Sequence, residues 1–489
     1  MRPAPAPYRD FGLQFIGGEW RRGRSARSVV DLDPYTGETL LEMAGASLED
    51  VDDAYAAALA AQPAWTAQLP RERAELLWRA ARAFEDRHDE IVDWLTREAG
   101  ATSFWSHQIT RHAAICCGEA AAYAQGAAGV ILPSLIHGQQ SHVHRKPVGV
   151  VGLVTSWNSP VNLTVRALAP ALALGNAVVL KPSPETPISG GLLLAEVFAA
   201  AGLPAGLLQV VPGDVEVGEA LVAHPGVSMI HFTGSTRTGR KIAEVAGREL
   251  KHCSLELGGD NALVVLDDAD VEHAAMIGAW SAWHYQGQTC ITAGRHIVAR
   301  PLYDRYVEAL AERARAIAVG DPTDESNGLG PMINEAQRDR GKAMLDDAVA
   351  AGARVVEGGS HDGLFFRPTV VVDVPTDSDL WREEIFAPVA PVIPFDTDEE
   401  AVALVNDTQY GLVNGVVSGD VERGRRLAEQ CRSGMVHVND STCLDEAHAP
   451  FGGLGASGLG GRAGGESNLD EFTEKKWLSV QRGQVEYPY

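Results

Sequence analysis

At 489 residues the chain exceeds what one hydrophobic core supports, so about three packed units are expected, or two with an appendage. With 45% hydrophobic and 22% charged residues it is compositionally globular, which excludes disordered, collagen-like and disulfide-scaffold classes. A formal net charge of -24 opposes any polyanionic partner, so nucleic acid and anionic membranes are not expected to bind.

In chain order, a Pro-rich tip leads to Ser47 and Asp50, a capping-box pattern ahead of VDDAYAAALAA. Pro70 then opens a periodic segment running from Arg71 towards Glu98, so the first third is expected to be mainly helical. From Val148 short apolar runs alternate with helical stretches: VGVVGLVT, AVVLK, LQVV, SMIHF and HCSLEL, a pattern that predicts a parallel sheet with crossover helices. A second alternation begins at ALVVLD (262–267) and continues through RHIVA, ARVVEGG and TVVVDV to MVHVN. The expected fold is therefore α/β, with two open parallel-sheet bodies. The cofactor-binding unit is assigned to 1–135 and 150–257 and the catalytic unit to 258–467. SHVHRKPVGVV and KKWLSVQRGQVEYPY read as extended and lie outside both alternations, so 136–149 and 468–489 are expected to form a β arm for oligomer contact.

The six cysteines, Cys116, Cys117, Cys253, Cys290, Cys431 and Cys443, include no C-x-x-C pair, which points to a reducing compartment. The start has no apolar signal core. The longest nearly apolar stretch, 167–180, is interrupted by Pro170, Gly175 and Asn176, so a cytoplasmic protein is expected. His142 and His144 share a strand face but read as surface residues, and no catalytic metal is assigned.

Three residues suggest chemistry, although each alone has a structural reading. Cys290, in QGQTC, follows an apolar helical run and could be an inert buried thiol. Glu256, in LELGG, stands where a strand gives way to a loop, and strand-end carboxylates line clefts in α/β sheets. Asn158, in SWNSP, follows the strand VVGLVT and precedes a helix. It is either a turn residue or an uncharged donor to an oxyanion. GLGASG (453–458) matches G-x-G-x-x-G but lacks a preceding strand and a following βαβ unit, so it is expected to be a tight loop near the substrate mouth.

TSWNSP, LKPSPETP, FTGSTRTG, LELGG, QGQTC, EEIFAPV, NDTQYGL and PFGGLGASG occur in the order and spacing of the aldehyde dehydrogenase superfamily, which the chain resembles over nearly its whole length. RALAPALALGNAVVLKP and MVHVNDSTCLDEAHAPFGG, with the terminal EYPY, are most similar to the benzaldehyde and vanillin dehydrogenase branch. The resemblance implies that Cys290 is the nucleophile, Glu256 the general base, and Asn158 with the Cys290 N–H the oxyanion hole. It implies NAD or NADP contacts at Ser156, Trp157, Lys181, Ser183, Gly213 and Gly234. Further contacts are implied at Ser235, Leu257, Gly258, Glu384 and Phe386. A homodimer or homotetramer is likewise implied. FTGST can present backbone N–H groups and Ser235 to a pyrophosphate at a helix N-terminus. Where strongly NAD-selective relatives often place a carboxylate three residues after the lysine, this chain has Pro184, with Glu185 one step later, which leaves NADP acceptable.

Ser159 stands where relatives commonly carry Phe, and Ser156 where they carry Pro, changes that enlarge or wet the pocket unless both side chains merely pack behind it. The expected substrate is a bulky, aromatic or polar-substituted aldehyde, with Ser159, Trp283, Tyr285, Leu444 and Phe451 as lining residues. Two alternatives stand beside this reading. One is a CoA-acylating dehydrogenase, against which a water-activating Glu256 argues. The other is a silent structural or binding relative, which would have no reason to keep all three catalytic positions.

Overall fold

The structure, a computed structural model, describes residues 11–489. Ahead of the expected helices it opens on strands that were not anticipated: Gln14–Ile16 pairs with Glu19–Arg21, and Ser28–Leu32 with Thr39–Ala44. Gly17 and Gly18 have φ of 69° and 87°, the left-handed pair that a two-residue hairpin turn requires. The helices Leu48–Thr66, Pro70–Asp86, His88–Ala99 and Ser103–Gly126 follow. Ser47 caps the first of them: its hydroxyl accepts from Asp50 N at 3.2 Å while Asp50 Oδ2 accepts from Ser47 N at 2.9 Å. The segment from 71 to 98 is two helices because Arg87 leaves helical geometry. Its guanidinium lies 2.8 Å from Glu90 and 3.5 Å from Glu196, and the latter is a tertiary contact that local periodicity does not reveal.

The first large sheet has eight strands, and its five inner ones are parallel in the order Leu208–Val210, Ala177–Lys181, Val150–Val154, Met229–Thr233, His252–Glu256. Chain order reverses between Val150–Val154 and Met229–Thr233, the switch point outside whose carboxyl ends open α/β sheets bind ligands. The second sheet has seven strands, with Ala293–Ala299, Asn261–Val265 and Val413–Val417 as central parallel neighbours. Ala262, Val264 and Leu266 enter one core and Leu263 and Val265 another. The sheet is thus buried on both faces, and its strands read as continuous apolar runs instead of alternating.

Thr473–Gln481 pairs antiparallel with Gln139–Pro147 along its full length, and Val130–Leu132 adds a third strand. Among the described residues no helix is long and apolar enough to cross a membrane.

Candidate active site

Three loops at the carboxyl ends of the first sheet build one wall. The strand Val150–Val154 leads through Ser156, Trp157, Asn158 and Ser159 into the helix Pro160–Ala173, whose Pro160 presets φ at the first helical position. After Met229–Thr233, Ser235 caps the helix Thr236–Arg248, accepting from Thr238 N at 3.3 Å. Glu256 ends its strand opposite Thr233, and its carbonyl accepts from Gly234 N at 3.1 Å. The GLGASG segment is a tight loop, with one helical turn at Gly455–Ser457, but it bounds neither cavity at Cys290. Its last residue opens the edge strand Gly458–Leu459, which pairs antiparallel with Leu255 and Glu256, while the Ser457 carbonyl accepts from Leu257 N at 2.9 Å. Residues far along the chain therefore fix the carboxylate-bearing strand end.

Cys290 comes from the second sheet, just ahead of the strand Ala293–Ala299. The helix Val271–Trp283 cannot run on to it because Tyr285, Gln286 and Gly287 have φ of 50°, 55° and 69°. Left-handed geometry at Tyr and Gln is costly and persists only where surroundings impose it. Here the Tyr285 hydroxyl donates to the Ala99 carbonyl at 2.9 Å, and the Gln286 amide donates to the carbonyls of Gly100 and Pro331 at 3.0 and 2.7 Å. The Asn261 amide donates to the carbonyls of Cys290 and Thr292 at 2.8 and 2.7 Å, pinning the backbone that carries the thiol.

Two cavities meet at Cys290 and Asn158, which line both. The larger, about 610 Å³, is bounded by Ser156, Trp157, Gly234, Ser235, Leu257 and Gly258, with Glu256, Glu384 and Phe386 also facing it. A Cβ on Gly258 would stand 2.5 Å from Glu384 Oε2, so glycine is what lets that carboxylate close the cradle, where it accepts from Gly259 N at 3.0 Å. The Trp157 and Phe386 rings meet edge-on at 5.5 Å. A helix N-terminus, a glycine cradle and a carboxylate lining one cleft fit a dinucleotide. Lys181, Ser183 and Gly213 are not among the residues bounding this cavity. Lys181 lies along Gly218, and Ser183 donates to Glu185 at 2.5 Å.

Sequence reasoning missed Gln337 and Arg340, three residues apart on the helix Glu335–Ala350. Gln337 donates to the Phe386 carbonyl at 3.1 Å and Arg340 to that of Glu384 at 2.7 Å, so together they hold the EEIF segment against the cleft. Their spacing was visible, but nothing local says what the helix faces. Arg237, Arg240, Glu383 and Tyr410 also line the cleft.

The smaller cavity, about 140 Å³, has Ser159 and Phe451 in its wall. Trp283 and Tyr285, expected there, bound a different cavity beside Phe104 and Trp280, because the reversal at 285–287 turns the helix end away from Cys290. Leu444 bounds neither cavity; its exposed side chain points elsewhere while its neighbours Cys443 and Asp445 face in. His112, Asn162 and Arg166, also in this wall, were not anticipated. Among the described residues no group of three or more His, Cys, Asp or Glu is placed to hold a metal.

Burial pushes the Cys290 thiol well above its ordinary value, and the carboxylates of Glu384 and Glu256 add to the effect. Burial likewise raises Glu256, to about 8, against the opposing pull of Arg166 and Arg462. Glu256 lines the cleft, and its Oε2 is buried without a hydrogen-bond partner among the described residues. Asn158 is buried, and neither its amide nor the Cys290 N–H is engaged by another group among the described residues, so both donors are open to an oxyanion. Asn158→Ala is expected to lower kcat by about 10² to 10³, the cost of one donor in an acyl-transfer hole. Steady-state assay at saturating aldehyde measures it, and a loss below threefold would remove Asn158 from the hole.

The family model described as "Aldehyde dehydrogenase family" matches residues 20–478. The chain is 44% identical over 477 residues to a benzaldehyde dehydrogenase [NAD(+)] of Pseudomonas putida, covering 97% of each chain. It is 44% identical over 473 residues to a vanillin dehydrogenase of an Amycolatopsis strain, covering 96% of this chain and 97% of that one. The structure of an NADP-dependent enzyme from E. coli superposes with a TM-score of 0.94 at 34% identity, covering 96% of this chain and 98% of the other. With the cysteine, the strand-end carboxylate and the dinucleotide cleft converging as described, the chain belongs to the aldehyde dehydrogenase family.

Proposed function

We propose that this aldehyde dehydrogenase oxidises an aromatic aldehyde to the carboxylic acid, with NAD or NADP as hydride acceptor. The observation that carries the reading is that Cys290 and Asn158 border both cavities, so a carbonyl bonded to the sulfur has the cleft on one side and the smaller pocket on the other. The apolar part of that pocket, Trp105, Leu163, Ile291 and Phe451, suits a ring, and the names of the benzaldehyde and vanillin relatives support the same class.

The Cys290 sulfur, once deprotonated, attacks the aldehyde carbon, and the new oxyanion accepts from the Asn158 amide and the Cys290 N–H. Ser156, Trp157, Ser235, Glu384 and Phe386, which line the cleft, would hold the cofactor, and when bound it would supply the acceptor for the hydride lost from that carbon. Glu256 then takes a proton from water, the hydroxyl adds to the thioester, and the acid leaves as sulfur regains its proton. A base placed to activate water supports hydrolysis over transfer to CoA.

Glu185, although displaced by one residue from the position common in NAD-selective relatives, folds back onto Ser183 and keeps a carboxylate near the end of the strand carrying Lys181. Neither Glu185 nor Ser183 bounds the cleft, so the reading keeps both NAD and NADP as acceptors. The three-stranded arm exposes Ile131, Leu135 and Trp477, which supports a homodimer or homotetramer, and six free thiols support a reducing, cytoplasmic setting. The test is a panel of benzaldehydes and short aliphatic aldehydes assayed with NAD and with NADP. kcat/KM for benzaldehyde is expected to exceed that for acetaldehyde by about tenfold or more, in line with the burial of a ring. Preference for acetaldehyde would overturn the aromatic reading.

A further inference from the structure

The helix Ser103–Gly126 runs along two cavities. Gln108, Ile109 and His112 follow Trp105 at helical spacing and share a face with it, and they line the pocket of about 140 Å³ at Cys290. Thr102 and Phe104, at the helix start, line an outer cavity of about 360 Å³ together with Trp280, Trp283, His284 and Tyr285. Among the described residues Trp105 alone borders both. The segment that leads to Cys290 divides in the same way: residues 283–285 line the outer cavity and 289–291 the pocket, with the left-handed reversal at 285–287 between them.

The outer cavity suits an uncharged ring. Phe104, Met276 and Trp280 in its lining are exposed, so it opens at the surface. Burial holds His284 neutral, lowered to about 3, and the Arg313 guanidinium in the wall donates to the Glu272 carbonyl at 3.1 Å. The cavity falls within the usual size of a small-molecule site, about 300 to 1,000 Å³, whereas the pocket at Cys290 lies below it. The indole between them is held by ring packing, edge-on against His284 at 4.2 Å and tilted against Tyr285 at 5.8 Å. Surroundings relax only partly when a large packed side chain is truncated, so alanine at this position would leave a gap joining the two spaces.

We propose that Trp105 is a specificity-determining partition: its indole limits the pocket at Cys290 to a one-ring aldehyde and keeps the distal ring of a two-ring aldehyde out of the outer cavity. The assignment rests on the aromatic reading above and adds an upper limit of size to it.

The test compares 3- and 4-phenylbenzaldehyde with benzaldehyde, and benzaldehyde with acetaldehyde, in the wild-type enzyme and its variants. In the wild type benzaldehyde should exceed both phenylbenzaldehydes in kcat/KM by about tenfold or more, the cost of forcing a ring against a packed wall. Trp105→Ala should raise the ratio of at least one phenylbenzaldehyde to benzaldehyde by about ten- to hundredfold, the range for burying one more ring. Trp105→Phe should move it part of the way, and gives the reading should the alanine variant fail to fold. Adding Ala279→Phe, which fills the outer cavity from the helix Val271–Trp283, should take the gain away. A merely structural role for Trp105 would lower all aromatic substrates alike and leave the ratio unmoved. A wild-type enzyme that takes either phenylbenzaldehyde as well as benzaldehyde overturns the proposal without any variant. So does a ratio unmoved in both Trp105 variants, or a gain that survives Ala279→Phe. Benzaldehyde falling below acetaldehyde in the wild type would instead sink the aromatic reading itself, so the two failures are distinguishable.

Discussion

Cys290→Ala is expected to reduce aldehyde oxidation by about 10⁶-fold with every aldehyde and either cofactor, since losing the nucleophile of a covalent mechanism costs about as much as losing the whole catalytic set. The sulfur faces two cavities and is not locked in a core, so the cost in stability should stay below about 1 kcal/mol. A progress curve at high enzyme concentration, with thermal unfolding of the same sample, measures both. Retention of more than a thousandth of the activity would mean that another group attacks the carbonyl. Alkylation gives an independent reading. Because burial and two neighbouring carboxylates raise this thiol, the free enzyme should react slowly with iodoacetamide at neutral pH and faster as pH rises.

Glu256→Gln should separate the two halves of the reaction. Glutamine keeps the size of the side chain but cannot take a proton from water, so one equivalent of reduced cofactor per active site should form before turnover stalls, with kcat down about 10³-fold. Intact mass should then show the acyl group on Cys290. Steady turnover without a burst would place the water-activating base elsewhere.

The same carboxyl predicts a pH profile. Burial puts it at about 8, so where hydrolysis limits the rate, kcat should climb through neutrality and level off above that value, and Glu256→Gln should flatten the limb. The effect on stability has the opposite sense. Between the ordinary glutamate value and about 8 the folded state keeps a proton that the unfolded chain releases, so this residue costs stability as pH rises across that window. The glutamine variant lacks that loss. Catalysis and stability therefore draw on the same buried position in opposite directions.

Strand and loop positions were legible where the chemistry depends on local order. The apolar runs ending at Val154, Thr233 and Glu256 marked parallel strands, and the residues just beyond them, Asn158, Gly234 and Gly258, all reach the cleft because ligands bind at strand carboxyl ends. The opening hairpin was missed because three-residue strands show no alternation, although Gly17-Gly18 was a readable turn signal. Lys181, Ser183 and Gly213 follow strands too, yet they do not bound the cavity that holds Cys290.

The amino-acid order by itself determined that two doubly wound sheets form and that a thiol, an amide and a carboxylate sit at loop positions, since hydrophobic periodicity and strand-end chemistry are local properties. What surrounds the substrate was decided only by tertiary packing. A reversal of three residues sends Trp283 and Tyr285 to another cavity, and His112, Arg166 and Asp445 meet only because a helix, a crossover and a late loop pack together. Side chains that converge from more than two hundred residues apart leave no periodic trace along the chain, so only the folded arrangement identifies them.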